Sequence, residues 1–213
     1  MSRKTKLKDD APTSCQYGNL QRAYTYFNEQ LFKSELGDCL LTLRSHGKNT
    51  LGLFHAEQWT VPDEDTKCHE IALSPAWLRR PLKDVFSTLV HEMAHLWQQD
   101  FGKPSRNGYH NREWGNKMKE VGLYPSNTGE PDGKEVGQRM THYIVEGGPF
   151  DVVFDNMPDA IKLPWVGVEP TEKEKKKVTL KVKYACPGCE TVAWGKPDLN
   201  LTCGDCEEPL EAQ

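Results

Sequence analysis

Val90-His91-Glu92-Met93-Ala94-His95 is an H-E-x-x-H pattern set inside an apolar helical repeat. On a helix of 3.6 residues per turn, His95 stands about 40° round from His91 and Glu92 about 100° round, so the three side chains share one broad face. Two imidazoles one turn apart can grip one metal ion, and the carboxylate beside them can reach a water bound to it. The same letters also arise by chance on solvated helix faces, so the surroundings decide. Leu82, Phe86, Leu89, Val90, Met93 and Trp97 follow the i, i+3, i+4 spacing of a helix packed against a core. Pro81 suits a first helical position, and Gly102 followed by Pro104 suits a stop. The spacing predicts a long, mostly buried helix from about Pro81 to Asp100. Unsatisfied polar groups are costly there, and a metal would satisfy them.

The chain has 213 residues, enough for one good-sized core and a small appended module. Its net charge of -4 excludes a polycation that binds nucleic acid by bulk charge. No apolar run approaches the length of a membrane span, and the N-terminus lacks the apolar segment of a signal peptide. A cytosolic location is expected, or a nucleoid or nuclear one if the protein associates with DNA, with no membrane partner. The chain is expected to be a monomer. Four of the seven cysteines are clustered, and Cys15, Cys39 and Cys68 are scattered. In a reducing compartment that division reads as one metal site and three ordinary thiols.

Residues 1–14 are read as a disordered N-terminus, 15–155 as the main domain, 156–177 as a charged linker and 178–213 as the small module. Asn19 to Phe32 has one apolar helical face. Cys39 to Ser45, Leu51 to Trp59 and His69 to Ser74 are strand-like, and Gly47 to Thr50 has turn chemistry. The third run is a candidate sheet edge for an extended substrate. After the metal-binding helix and a loop, a further helix opens near Asn111 and ends at Gly122. Leu123 to Gly137 is loop-like, and Met140 to Val145 and Phe150 to Phe154 read as strands or an irregular cap. The fold class expected is α+β: a helix, a three-stranded antiparallel sheet, the active-site helix and a supporting helix, followed by a small zinc ribbon.

A catalytic zinc takes three protein ligands and keeps one position open. His91 and His95 supply two. Among His46, His55, His69, His110 and His142, His110 is the best third: one loop separates it from the helix, and it stands where the next helix begins. Its bland alternative is a surface loop histidine. Glu113 is the rival ligand, preferred as a carboxylate supporting the site or the helix's first turn. Tyr109, Arg112, His142 and Tyr143 are candidate donors to an oxyanion.

The second site is Cys186-Pro-Gly-Cys189, thirteen residues, then Cys203-Gly-Asp-Cys206, close to the spacing of a four-thiolate ribbon. Gly188 and Gly204 are expected to allow the tight turns. Flanking segments Val178 to Tyr184 and Thr191 to Trp194 look like short strands. Four thiolates fill a zinc completely, so this ion is structural, and it supplies folding energy to a module too small to build a core. Two zinc ions per chain are expected, one catalytic and one structural.

His91-Glu92-Met93-Ala94-His95, His110-Asn111-Arg112-Glu113-Trp114 and the four-cysteine ribbon together resemble the SprT-like (Spartan-type) metalloprotease family. Phe27-Asn28, Leu31-Phe32 and Ile71-Ala72-Leu73 are similar to that family as well, so the likeness runs from about Leu20 to Cys206. Members often carry Gly directly after the third histidine and Phe three residues beyond it; here Asn111 and Trp114 stand there. The resemblance implies a minigluzincin-like core and a zinc-dependent endopeptidase. His91, His95 and His110 would be its ligands, and Glu92 the base that activates a zinc-bound water. Eukaryotic relatives cleave proteins covalently trapped on DNA, are activated by DNA and carry a ribbon that contacts it. The substrate implied is a DNA-associated or DNA-crosslinked protein, with single-stranded or damaged DNA as partner.

The residues argue less strongly for DNA. Lys173, Lys175, Lys176, Lys177, Lys181 and Lys183 form a basic run, and Tyr184 and Trp194 could stack on unpaired bases. Yet residues 171–213 hold seven lysines, no arginine and eight acidic residues, which also describes a solvated linker. The competing function is a non-proteolytic zinc-binding adaptor recruited through the ribbon, against which an intact Glu92 speaks. A zinc ribonuclease would place its histidines closer than His95 and His110.

Overall fold

The computed structural model describes residues 11–45, 47, 49–106, 108–167 and 181–213. The chain divides into two compact units, 1–167 and 168–213. His46, residues 1–10 of the expected disordered N-terminus and residues 168–177 of the expected linker, with the lysine run there, lie outside the described residues.

In the first unit α1 spans Pro12–Leu31. Pro12 occupies a first helical position, so the helix starts seven residues before the apolar periodicity does and takes in residues 12–14. Leu20, Ala23, Tyr24, Phe27 and Leu31 form its buried stripe. The chain then reverses through Lys33 and Ser34, both left-handed. Asn28 holds that turn: its Nδ2 donates to Leu36 O at 2.9 Å, and Leu36 N donates to Oδ1 at 3.2 Å.

Three strands follow: β1 (Leu40–Leu43), β2 (Gly52–Thr60) and β3 (Lys67–Leu73). Their order is β1-β3-β2, with β3 parallel to β1 and antiparallel to β2. The sheet is therefore mixed, not the antiparallel one expected, and the His69–Ser74 stretch is interior rather than an edge. Burial explains the order. Residues 70–73 of β3 are all buried, as suits a central strand, whereas the outer half of β2 is exposed, as suits an edge. β2 also carries a register shift between His55 and Trp59, with Glu57 in the left-handed region.

α2 (Leu82–Phe101) lies against the sheet. Val85, Phe86, Leu89, Val90, Met93 and Leu96 are buried, and Phe86 meets Phe27 edge to face with ring centres 5.7 Å apart. Full burial of such side chains is worth roughly 1.5–3 kcal/mol each. α3 (Arg112–Glu120) follows, then β4 (Leu123–Ser126) and β5 (Thr141–Ile144), paired antiparallel. β4 replaces the loop expected after Gly122. Gly122 has φ +86°, and a Cβ there would stand 2.7 Å from Phe150 N, so only glycine fits. Phe150 to Phe154, expected as strand or cap, lies in helix α4 (Pro149–Asp155), and Phe150 stacks on Phe27. Residues 156–167, expected to open the linker, belong to this unit. Ile161 is buried, and Gln16 exchanges hydrogen bonds with both Trp165 O and Trp165 N at 3.0 Å.

In the second unit β6 (Val182–Ala185) lies between β7 (Val192–Gly195) and β8 (Glu211–Ala212). The two cysteine turns are near copies. Cys186 N donates to Thr191 O and Cys203 N to Glu208 O; Glu190 N returns to Cys186 O and Glu207 N to Cys203 O. The left-handed residues are Glu190 and Glu207, each just after the second cysteine, and not the glycines expected to ease these turns. Gly188 serves differently: a Cβ there would stand 3.2 Å from Cys206 Sγ.

Candidate metal centre

Ser87, His91 and His95 are spaced by four along α2, so they stand one above another on a single face. α3 supplies the rest. Asn111 caps it, its side chain accepting from Trp114 N at 3.1 Å. That cap holds His110 just outside the helix. His110 is also tied to the segment between β4 and β5: His110 N donates to Gly137 O at 2.8 Å, and Gly137 N returns to His110 O at 3.1 Å. One nitrogen each of His91, His95 and His110 lies within 4.8 Å of the others. Their ring centres stand 4.7–5.6 Å apart.

The rings share a floor. Trp114, fully buried, meets His110 at 4.4 Å, His91 at 4.9 Å and His95 at 5.2 Å, centre to centre. Helical spacing marks Trp114 as core; that it underlies all three imidazoles becomes visible only when α2 and α3 are brought together.

Burial and, for His91 and His95, the neighbouring imidazoles depress all three histidines: His91 well below its ordinary value, His95 to about 3, His110 in the same direction. Neutral imidazole is the form that binds a metal, so the donor set fits a zinc ion held by three histidines. His110 Nδ1 faces Gly137 O at 3.3 Å, which leaves its Nε2 for a metal.

Glu92 is buried beside them, and burial pushes it up to about 8. It lines a cleft of about 1110 Å³ together with His91, His95, His110, Tyr109 and the start of β2. Gly52 of β2 faces Glu92 so closely that a Cβ would lie 2.7 Å from Oε1.

The rival ligand Glu113 is occupied elsewhere. Its Oε2 accepts from Gln98 Nε2 at 2.8 Å and Lys103 N at 2.7 Å, and these bonds lower its pKa. It ties the loop after α2 to α3. Of the four candidate oxyanion donors, Tyr109 and His142 line the cleft, while Arg112 is exposed and Tyr143 stacks on Tyr124. Both nitrogens of His142 are engaged, one with His91 and one with Ser87. Burial, with Arg80 nearby, brings His142 down to about 4, so it is neutral.

In the second unit one sulfur each of Cys186, Cys189, Cys203 and Cys206 lies within 4.8 Å of the others. Cys189 and Cys203 Sγ are 3.6 Å apart, near the roughly 3.8 Å edge of a sulfur tetrahedron with Zn–S of about 2.3 Å. Hydrogen bonds from Thr191 bring Cys189 down to about 6, while those with Cys189 and Cys186 push Cys206 up to about 12. Tyr184, expected as a stacking platform, is instead the buried centre of this unit. Its hydroxyl donates to Lys196 O at 2.7 Å and accepts from Leu199 N at 3.0 Å. Trp194 is 64% exposed.

The family model described as SprT-like matches residues 20–133, more than half of the chain. The chain belongs to the SprT-like family. The match takes in α1 from Leu20 onward, the three-stranded sheet, α2, α3 and all three histidines. A Salmonella typhimurium protein described as an uncharacterized protein in the mucB 3′ region is 49% identical over 47 residues, or 22% of this chain. The SprT-like chain spans 62% of that relative's length. Among the described residues, no helix is long and apolar enough to cross a membrane.

Proposed function

We propose that this SprT-like protein is a zinc-dependent endopeptidase whose ligands are His91, His95 and His110 and whose base is Glu92. The observation that carries the reading is the convergence of three neutral imidazoles beside a buried carboxylate at one cleft. Zinc held there would supply Lewis acidity to the scissile carbonyl and to the incoming water. Glu92 takes a proton from that water and passes it to the leaving amine nitrogen. The burial that raises its pKa makes the ionised carboxylate a stronger proton acceptor, and its protonated form is the donor to the amine. Of the four candidate donors, Tyr109 lines the cleft and is the one proposed to donate to the developing oxyanion. The interior position of β3 moves the substrate to β2, whose outer edge carries no partner strand among the described residues and borders the cleft. An extended peptide pairing there would pass Glu92 with only the hydrogens of Gly52 between.

The experiment is Glu92→Gln with zinc and peptide cleavage measured together. Zinc content is expected to stay at wild-type stoichiometry while cleavage falls on the order of 10²–10⁴-fold. Full cleavage by Glu92→Gln removes the proposed base. A wild-type protein that holds zinc and cleaves no protein, with DNA present, favours the adaptor.

The natural substrate proposed is a DNA-associated or DNA-crosslinked protein. Exposed Trp194 on β7 supports a single-stranded DNA partner, because an unburied indole is a stacking platform for any base. A salt titration of single-stranded DNA binding checks it. Binding is expected at low salt, weaker in Trp194→Ala and weakened as salt rises. No binding at low salt ends the DNA part and leaves the peptidase untouched.

A further inference from the structure

His142 lies on β5, 51 residues from His91 in sequence, and its ring centre is 5.2 Å from that of His91. It is outside the three-histidine metal group. His91 Nδ1 and His142 Nδ1 are 3.1 Å apart, a hydrogen-bond distance, so one carries the hydrogen and the other the lone pair. On its far side His142 Nε2 is 2.9 Å from Ser87 Oγ. Ser87 Oγ in turn donates to the carbonyl oxygen of Asp84 at 3.0 Å.

That last contact gives the network a direction consistent with a metal on His91 Nε2, because a carbonyl oxygen can only accept. The hydroxyl hydrogen of Ser87 has Asp84 O as its acceptor, and we place it there. Ser87 Oγ is then left to accept, and His142 Nε2 must carry a hydrogen. A neutral His142 with hydrogen on Nε2 has its lone pair on Nδ1. That lone pair accepts from His91 Nδ1–H, and the lone pair of His91 is placed on Nε2, the nitrogen left for a metal.

We propose that His142 is a positioning residue for the metal centre: a neutral imidazole, backed by Ser87 and the Asp84 carbonyl, that fixes the tautomer and ring orientation of His91. Metal-binding histidines ordinarily give their second N–H to a carboxylate, a backbone carbonyl or water. His110 follows that habit with Gly137 O. His91 donates to an uncharged ring instead, so it gains orientation without the added basicity that an anionic acceptor confers. The inference rests on the metal-site part of the proposed function and not on peptidase activity.

The test uses the full-length protein and two readouts that need no substrate. Long-range ¹⁵N–¹H NMR correlations report which ring nitrogen carries hydrogen. Wild type is expected to show His142 protonated at Nε2 and bare at Nδ1, and His91 protonated at Nδ1. A hydrogen on His142 Nδ1, or a His142 nitrogen bonded directly to the metal, overturns the proposal. Zinc affinity by chelator competition is the second readout. His142→Phe keeps a ring but offers no acceptor, and should weaken the histidine site about 10–100-fold. His142→Asn places an amide oxygen where Nδ1 stood and should recover part of that loss. A Phe variant as tight as wild type, or tighter than the Asn variant, reduces His142 to packing and overturns the proposal. If the variants fail to fold, the wild-type tautomers still decide. A wild type that binds no zinc at the three histidines overturns it too, whereas one that binds zinc and cleaves nothing sinks only the peptidase.

Discussion

Gly52 is the residue against which Glu92, the proposed base, is packed. A methyl group there would lie 2.7 Å from Glu92 Oε1, 2.9 Å from Thr88 Cγ2 and 3.0 Å from Glu92 Cγ. The backbone at Gly52 lies outside the left-handed region, so the cost of Gly52→Ala is steric. The carboxylate must shift by several tenths of an ångström to clear that methyl, and the cleft that Glu92 lines is the space open to it. Misplacement of a reacting group by about 1 Å can cost on the order of 10²-fold in rate. Gly52→Ala is therefore expected to keep zinc at wild-type stoichiometry and lower kcat by about tenfold or more. Unchanged kcat with zinc retained would show that Glu92 has slack and that β2 does not set its position.

Two helices meet in one polar knot, and its parts explain what spacing conveys and what it hides. Gln98 of α2 donates to Asn111 Oδ1 at 2.7 Å and to Glu113 Oε2 at 2.8 Å, and Asn111 Nδ2 donates to Lys103 O at 3.0 Å. Asn111→Ala removes a helix cap, worth about 0.5–2 kcal/mol, and loosens the residue next to His110. A lower melting temperature and weaker zinc binding are expected together. Glu113→Gln separates a structural carboxylate from a ligand: zinc stoichiometry should hold, with a small loss of stability. The ionised Glu113 is favoured by its two donors, so its contribution is present above the unfolded carboxylate range and lost as pH falls through the lowered folded value. Buried histidines and other paired carboxylates lose stability over the same range in both proteins, so the stability difference between wild type and Glu113→Gln in thermal melts is expected to shrink as pH falls from 6 to 3. The α2 motif, the helix near Asn111 and the cysteine turns were legible because each is written in local spacing. The β1-β3-β2 order was not, since three alternating apolar runs fit several pairings and only burial on both faces puts β3 in the middle. Phe150 to Phe154 is too short for periodicity to tell helix from strand. Pro149 at the first helical position and Asp151 in the first turn were the start signals available there. The contact of His142 with His91 had no local signature at all.

The chain joins two groups of residues that could each hold a metal ion, and they differ in what loss of the metal should do. The first unit has a core of its own, in which Phe27, Phe86, Phe150 and Trp114 are fully buried. The second unit has a short buried list in which Tyr184, Cys186 and Cys203 stand out, and two of those three are sulfur donors. A module of that size cannot offset its chain entropy by apolar burial, so metal binding is folding energy there. Removing ligands from the second unit should therefore unfold that unit and spare the first. In the full chain, Cys186→Ser with Cys203→Ser is expected to lower bound zinc from two ions to one. Dispersion of amide signals from residues 181–213 should be lost, while the first unit keeps its melting transition and its cleavage of a small unstructured peptide. Glu92→Gln should give the opposite pattern, with both ions kept and cleavage gone. If the cysteine variant abolishes cleavage of the small peptide as well, the second unit takes part in the chemistry, and a catalytic centre confined to α2, α3 and β2 is wrong.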